Sequence, residues 1–109
     1  MRRTTPAAFE ARAKVMKALA HPSRLFIVDA LARRELCVRE LTDMIGAHMS
    51  TVSKHLSVLK NAGIVAPRKR GSQVYYTLAM TCAPSFLECA EAAITAVAKS
   101  HAEQAKLCR

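Results

Sequence analysis

Two glycines constrain this chain more than any other residues. Gly46 closes a run in which Val38, Leu41, Met44 and Ile45 recur at helical spacing. Gly63 closes a second run that carries Met49, Val52, Leu56 and Leu59 on one stripe. Glycine just past the last periodic residue is a helix stop. The pattern therefore predicts a short helix, a tight turn, and a second amphipathic helix. On that second helix Ser50, Thr51, Ser53, Lys54 and Ser57 fill the face away from the stripe, with Ser50 read as its N-cap. Such a helix packs on one side and offers short polar donors on the other.

The flanking segments extend the pattern. Thr5-Pro6 reads as a cap followed by proline at the first helical position, leading into a helix with Phe9, Ala13, Met16 and Ala20 at three- and four-residue spacing. His21-Pro22-Ser23 breaks it, because the residue before a proline avoids the helical region. Leu25, Phe26, Ile27, Val28, Leu31 and Ala32 then make a second helix apolar around most of its circumference, predicted to be the buried centre, with Arg33-Arg34-Glu35 as its polar exit. After Gly63, Ile64-Val65-Ala66 and Val74 to Leu78 read as strands around Arg68-Lys69-Arg70-Gly71-Ser72, a hairpin with a basic tip. Pro84 opens a last helix in which Leu87, Ala90, Ile94 and Val97 repeat toward His101, predicted to be long, exposed and paired with another surface. This order is that of a winged helix-turn-helix: mainly α, about five helices with a two-stranded wing. A chain of 109 residues suits one such domain, with the N-terminal and C-terminal helices forming a dimer interface.

Charge narrows the partner. Lys and Arg number 17 against 8 Asp and Glu, a net +9. That surplus points to a polyanion, either nucleic acid or an anionic membrane surface. No stretch approaches the roughly 18 apolar residues of a spanning helix, and Met1 to Pro6 lacks a signal-peptide core, so nucleic acid and a cytoplasmic location are expected. A hydrophobic fraction of 51 % excludes general disorder. Three Phe, two Tyr and no Trp disfavour a single-strand stacking platform, leaving double-stranded DNA. The four scattered His and the lack of a nucleophile elbow or phosphate loop argue against an enzyme. The charge is also uneven: from Asp43 to Glu88 lie 44 positions without an acid, among them Lys54, Lys60, Arg68, Lys69 and Arg70. Ser50, Thr51, Ser53, Lys54 and His55 are thus assigned to a major groove, and Arg68, Lys69, Arg70 and Gln73 to phosphates or a minor groove.

Three stretches carry a resemblance: Leu36-Cys37-Val38-Arg39-Glu40-Leu41, Ser50 through Val65 (STVSKHLSVLKNAGIV), and Arg70 through Leu78 (RGSQVYYTL). With Ala18 through Leu25 (ALAHPSRL), they resemble the ArsR/SmtB family of metal-sensing repressors over roughly residues 15 to 95. The resemblance implies a homodimer that binds operator DNA without ligand and releases it when a metal or metalloid binds. That family's arsenic-sensing branch carries three thiols at the start of the third helix. Only Cys37 matches; Arg39 and Thr42 stand at the other two positions. The zinc-sensing branch uses Asp and His on the last helix, where this chain has Met80, Cys82, Ala93 and Ala96.

What remains is an inventory of thiols, which suits soft species such as trivalent arsenic or antimony as inducer. Cys37, Cys82 and Cys89 are the candidate ligands, and Cys108 is expected to fray. No C-x-x-C pair occurs, and a reducing compartment disfavours disulfides. Cys82 and Cys89, seven helical residues apart, would be separated by about 10.5 Å, so they share an ion only if the link folds back or a second subunit contributes. Two other readings fit the same scaffold: a persulfide or redox switch using two cysteines, and a constitutive architectural DNA-binding protein with inert ones.

Overall fold

The computed structural model describes residues 5–107. The helices are α1 (Pro6–Leu19), α2 (Pro22–Arg33), α3 (Val38–Ile45), α4 (Met49–Asn61) and α5 (Ala83–Leu107), and the strands are β1 (Leu36–Cys37), β2 (Val65–Arg70) and β3 (Gln73–Leu78). One device starts the first two helices. Thr5 Oγ1 accepts the Ala8 N–H at 3.2 Å, and His21 Nδ1 accepts the Ser23 N–H at 3.0 Å. In each case proline follows as the first helical residue, where its missing N–H costs nothing. Gly46 ends α3 at φ 76°, a left-handed conformation that only glycine adopts without penalty.

The core lies where α2, α3 and α4 meet the sheet. Ile27, Val28, Leu41, Val52, Leu56, Leu59 and Ile64 are all completely buried. The α4 stripe thus faces inward as its spacing predicts, except for Met49, which is half exposed at the start of the helix. The apolar patterns of α1 and α2 need correction. On α1 the core takes Ala8, Ala18 and Leu19, while Phe9 and Met16 stand 55 % and 43 % exposed. That helix has apolar residues on two sides, and spacing alone does not say which side turns inward. On α2, Ile27, Val28, Ala30 and Leu31 are buried, but Leu25 and Phe26 remain more than a third exposed, so the helix is covered on one side only.

Among the described residues the sheet holds three strands rather than two, in the order β1-β3-β2, both pairings antiparallel. Leu36 and Cys37 pair with Tyr76 and Tyr75 and tie the start of α3 to the hairpin. The hairpin strands also run further than the apolar runs indicate. β2 continues through Arg70 and β3 begins at Gln73, leaving Gly71 and Ser72 as the turn, with Gly71 at φ 60°. The three basic residues therefore belong to a paired strand, not to a loose tip. Ile64 falls just before β2, where its carbonyl accepts the N–H groups of Ala79 and Met80 at 2.9 and 3.1 Å.

α5 is long and little covered. Ala83 is its only buried residue and Leu87 packs partly on the core, whereas Ile94 and Val97 are 68 % and 54 % exposed. Its 25 residues span about 37 Å.

The burial of α4 sets an expectation for stability. Leu56→Ala should lower the unfolding free energy by about 2 to 5 kcal/mol, since it removes buried methyls and leaves a void. Ser57→Ala, on the solvent side of the same helix, should change it by less than about 0.5 kcal/mol. Urea titrations of the two variants would check both values.

Candidate nucleic-acid interface

α4 begins at Met49, one residue before Ser50. His48 is the N-cap, with φ −72° and ψ 145°, and its carbonyl accepts the N–H groups of Thr51 and Val52 at 3.0 and 3.1 Å. Ser50 lies inside the first turn, so the predicted cap is displaced from Ser50 to His48. Ser50, Thr51, Ser53, Lys54 and Ser57 are all exposed and form the helix's outer face. Short hydroxyls with a single lysine on a rigid helix are suited to base edges and phosphates in a groove that admits one helix.

His55 sits differently. It is half-buried at the edge of that face, with its ring centroid 4.4 Å from that of His21 and its Nδ1 3.2 Å from Arg24. Burial, then the charges of His21 and Arg24, hold its pKa below the ordinary histidine value. His21 lies at the break between α1 and α2 and Arg24 in the first turn of α2, and sequence reasoning missed both as partners of α4. The available signal was their closeness to each other, His21 capping the helix whose first turn holds Arg24.

Strand alternation sorts the wing's cations. Arg68 and Arg70 point to one side and both pair with Glu35, Arg68 at 3.1 Å. Arg70 also lies over the Tyr75 ring at 5.5 Å from its centroid. Lys69 is exposed on the opposite side, and Gln73 is exposed across from Arg70. The acid-free stretch therefore does not give a purely cationic surface. Glu35, eight residues upstream of Asp43, folds back onto the wing and offsets part of its charge. The turn end of the wing adjoins the start of α4, for Gln73, Val74 and Met49 line one shallow cavity with Cys37, Val38 and Arg39.

That cavity also places Cys37, which is buried at the N-cap of α3. The Glu40 carboxylate accepts the Cys37 N–H at 3.1 Å and pairs with Arg34 at 3.1 Å. Those hydrogen bonds, the Cys37 amide first, hold the Glu40 carboxyl below its ordinary pKa. Cys82 and Cys89 are exposed at the start of α5, and the Cys82 carbonyl accepts the Phe86 N–H, so the link continues straight into the helix. One chain does not gather Cys37, Cys82 and Cys89: among the described residues no three His, Cys, Asp or Glu side chains are grouped to hold an ion. Cys108 lies outside the described residues. No helix among them is long and apolar enough to cross a membrane.

Comparison with known proteins adds a family to this geometry. Residues 21–66 match the family described as "Bacterial regulatory protein, arsR family". The chain is 39 % identical over 74 residues to the biofilm growth-associated repressor of Agrobacterium fabrum, covering 68 % of this chain and 63 % of that one. Curated relatives of this kind are longer, and the chain spans between about half and two thirds of their length. Among solved structures, Rv0081 of Mycobacterium tuberculosis is 31 % identical with a TM-score of 0.78, over 90 % of this chain and 98 % of that one. Mb0332 of Mycobacterium bovis, described as a homodimeric winged helix-turn-helix DNA-binding domain, is 32 % identical with a TM-score of 0.66 over 95 % of both chains. The fold is thus shared over nearly the whole chain, and this chain belongs to the ArsR family of bacterial regulatory proteins.

Proposed function

We propose that this chain is a transcriptional repressor that binds operator DNA as a homodimer and releases it when trivalent arsenic or antimony binds its cysteine thiolates. One observation carries the DNA-binding part: the exposed hydroxyl and lysine face of α4 lies beside a wing whose outer strand holds three consecutive cations. Helix and wing can follow a groove and its flanking phosphates together. The uncovered apolar residues of α5 support pairing of two copies, as does the homodimeric description of the Mycobacterium bovis relative. Two α4 helices set by one dimer would reach half-sites about 10 bp apart, or a multiple of that.

The inducer part rests on ligand chemistry. Three thiols can displace three hydroxides from arsenous acid, forming three As–S bonds and releasing three waters with no change of oxidation state. Along a straight α5, Cys82 and Cys89 are about 10.5 Å apart, so a shared ion requires a thiol from the second copy. Pairing through α5 would supply it, because both cysteines lie on the helix or at its start. A ligand acts only if it binds the DNA-free shape better than the DNA-bound one. Cys37 fits that need. It is paired to β3, caps α3, and shares its cavity with Met49 at the start of α4, so displacing it shifts the reading helix against the wing.

Three outcomes are expected. Binding of the full chain to a selected operator duplex, followed by fluorescence anisotropy, should weaken steeply between about 50 and 200 mM salt with a log–log slope of several units. A nearly flat response would overturn the repressor reading. Lys69→Ala should weaken binding to all duplexes alike and reduce that slope by about one, whereas Ser53→Ala should narrow the gap between operator and random DNA. Under reductant, Cys37→Ser should keep operator binding but block arsenite-driven release, with Cys82→Ser and Cys89→Ser impaired in the same direction. Normal release from Cys37→Ser would remove it from the site. Release by persulfide or oxidant but not by arsenite would replace metalloid chemistry with a redox switch, and no release by any of them would make the protein constitutive.

A further inference from the structure

The Arg24 side chain joins three helices. Its Nε donates to the Ala18 carbonyl at 2.6 Å and an Nη to the Lys17 carbonyl at 3.4 Å, both at the end of α1. The other Nη lies 3.2 Å from His55 Nδ1 on α4, and Arg24 itself stands in the first turn of α2. A guanidinium has five N–H donors, no acceptor, and keeps its charge throughout the range where proteins fold. The contact with His55 is therefore one-directional: Arg24 donates and Nδ1 accepts. A neutral imidazole that accepts at Nδ1 carries its proton on Nε2.

The two ring nitrogens point apart, so Nε2 is turned away from Arg24. Among the described residues no hydrogen bond is made at Nε2. On the helix His55 stands one turn from Thr51 and next to Lys54, at the edge of the polar face and not at its middle. The titratable groups facing the ring are Arg24 on α2 and His21 at that helix's cap, while α1 contributes only the carbonyls that hold Arg24.

We propose that Arg24 is a positioning residue for the reading head: it fixes His55 as a neutral donor whose Nε2–H binds a backbone phosphate oxygen at the rim of the major groove. This rests on the DNA-binding reading above. A phosphate oxygen fits because the edge of the helix reaches the groove wall before its floor, and every base pair offers the same acceptor there. A neutral donor displaces no counterion, so the contact adds affinity on any sequence without adding to the salt dependence.

The test has a spectroscopic arm and a binding arm. Nitrogen-15 spectra of the labelled full chain should show His55 protonated at Nε2 and bare at Nδ1 near neutral pH. Its folded pKa is lowered, so the neutral ring should persist to lower pH than the ordinary value of 6.5 and take up its proton only below that. In Arg24→Gln the ring should titrate closer to that ordinary value. Anisotropy would then use a duplex selected from a random library on the wild-type chain, beside a random duplex. His55→Asn should lose about tenfold on both duplexes with an unchanged salt slope, and His55→Gln, whose amide nitrogen stands near the place of Nε2, should lose less. A wild-type spectrum with the proton on Nδ1 would overturn the proposal. So would a loss confined to the selected duplex, or a slope reduced by about one. If the library yields no duplex, the DNA-binding reading fails and the phosphate contact with it, an outcome separable by a ring spectrum that still shows Nε2–H.

Discussion

Burial of Val52, Leu56 and Leu59 is the constraint on which the rest of the molecule depends. These three residues, each without solvent exposure, lock α4 in rotation as well as in position. A helix held by a stripe at spacing three and four has no freedom to roll, so its opposite face is fixed toward solvent. The direction in which Ser50, Ser53 and Lys54 point is thus decided by apolar packing inside the fold. Geometric precision at the surface comes from the core and not from the polar residues themselves.

A second layer of organisation is electrostatic and passes through a two-residue strand. β1 lies between Glu35, which holds Arg68 and Arg70, and Glu40, which holds Arg34 and the amide of Cys37. The exposed part of such pairs adds little to stability. Their effect is on position: the wing is tethered on one side of β1 and the start of α3 on the other. Cys37 sits between the two tethers, in contact by backbone pairing with the strand that carries Tyr75.

Much of this was legible in the sequence because it depends on local rules. Gly46 and Gly63 mark helix ends through a backbone conformation, and the α4 stripe marks a buried face through its period. Proline after Thr5 and after His21 marks two helix starts. The unread parts depend on contacts distant along the chain. β1 is too short to show alternation, and its pairing with Tyr75 and Tyr76 is decided across the sheet. Glu35 meets Arg68 and Arg70 over more than thirty positions, and Arg24 meets His55 over 31. Phe9 and Met16 misled because α1 offers apolar residues on two sides. The cysteines were identified by type and number, while the separation of Cys82 from Cys89 follows from the helical hydrogen bonding that runs from the Cys82 carbonyl into α5.

The order of the strands has one more consequence. Both β1 and β2 are edges, and an edge strand exposes a row of unpaired backbone groups that another chain can extend. β1 is only two residues long, which leaves almost nothing to template. β2 carries Pro67, which has no N–H to give, followed by three cations that repel a like strand. A protein that must leave a hairpin standing in water therefore protects it against sheet-to-sheet growth. The same run of charge that suits the wing to phosphate also keeps crowded copies of the chain from stacking into aggregates.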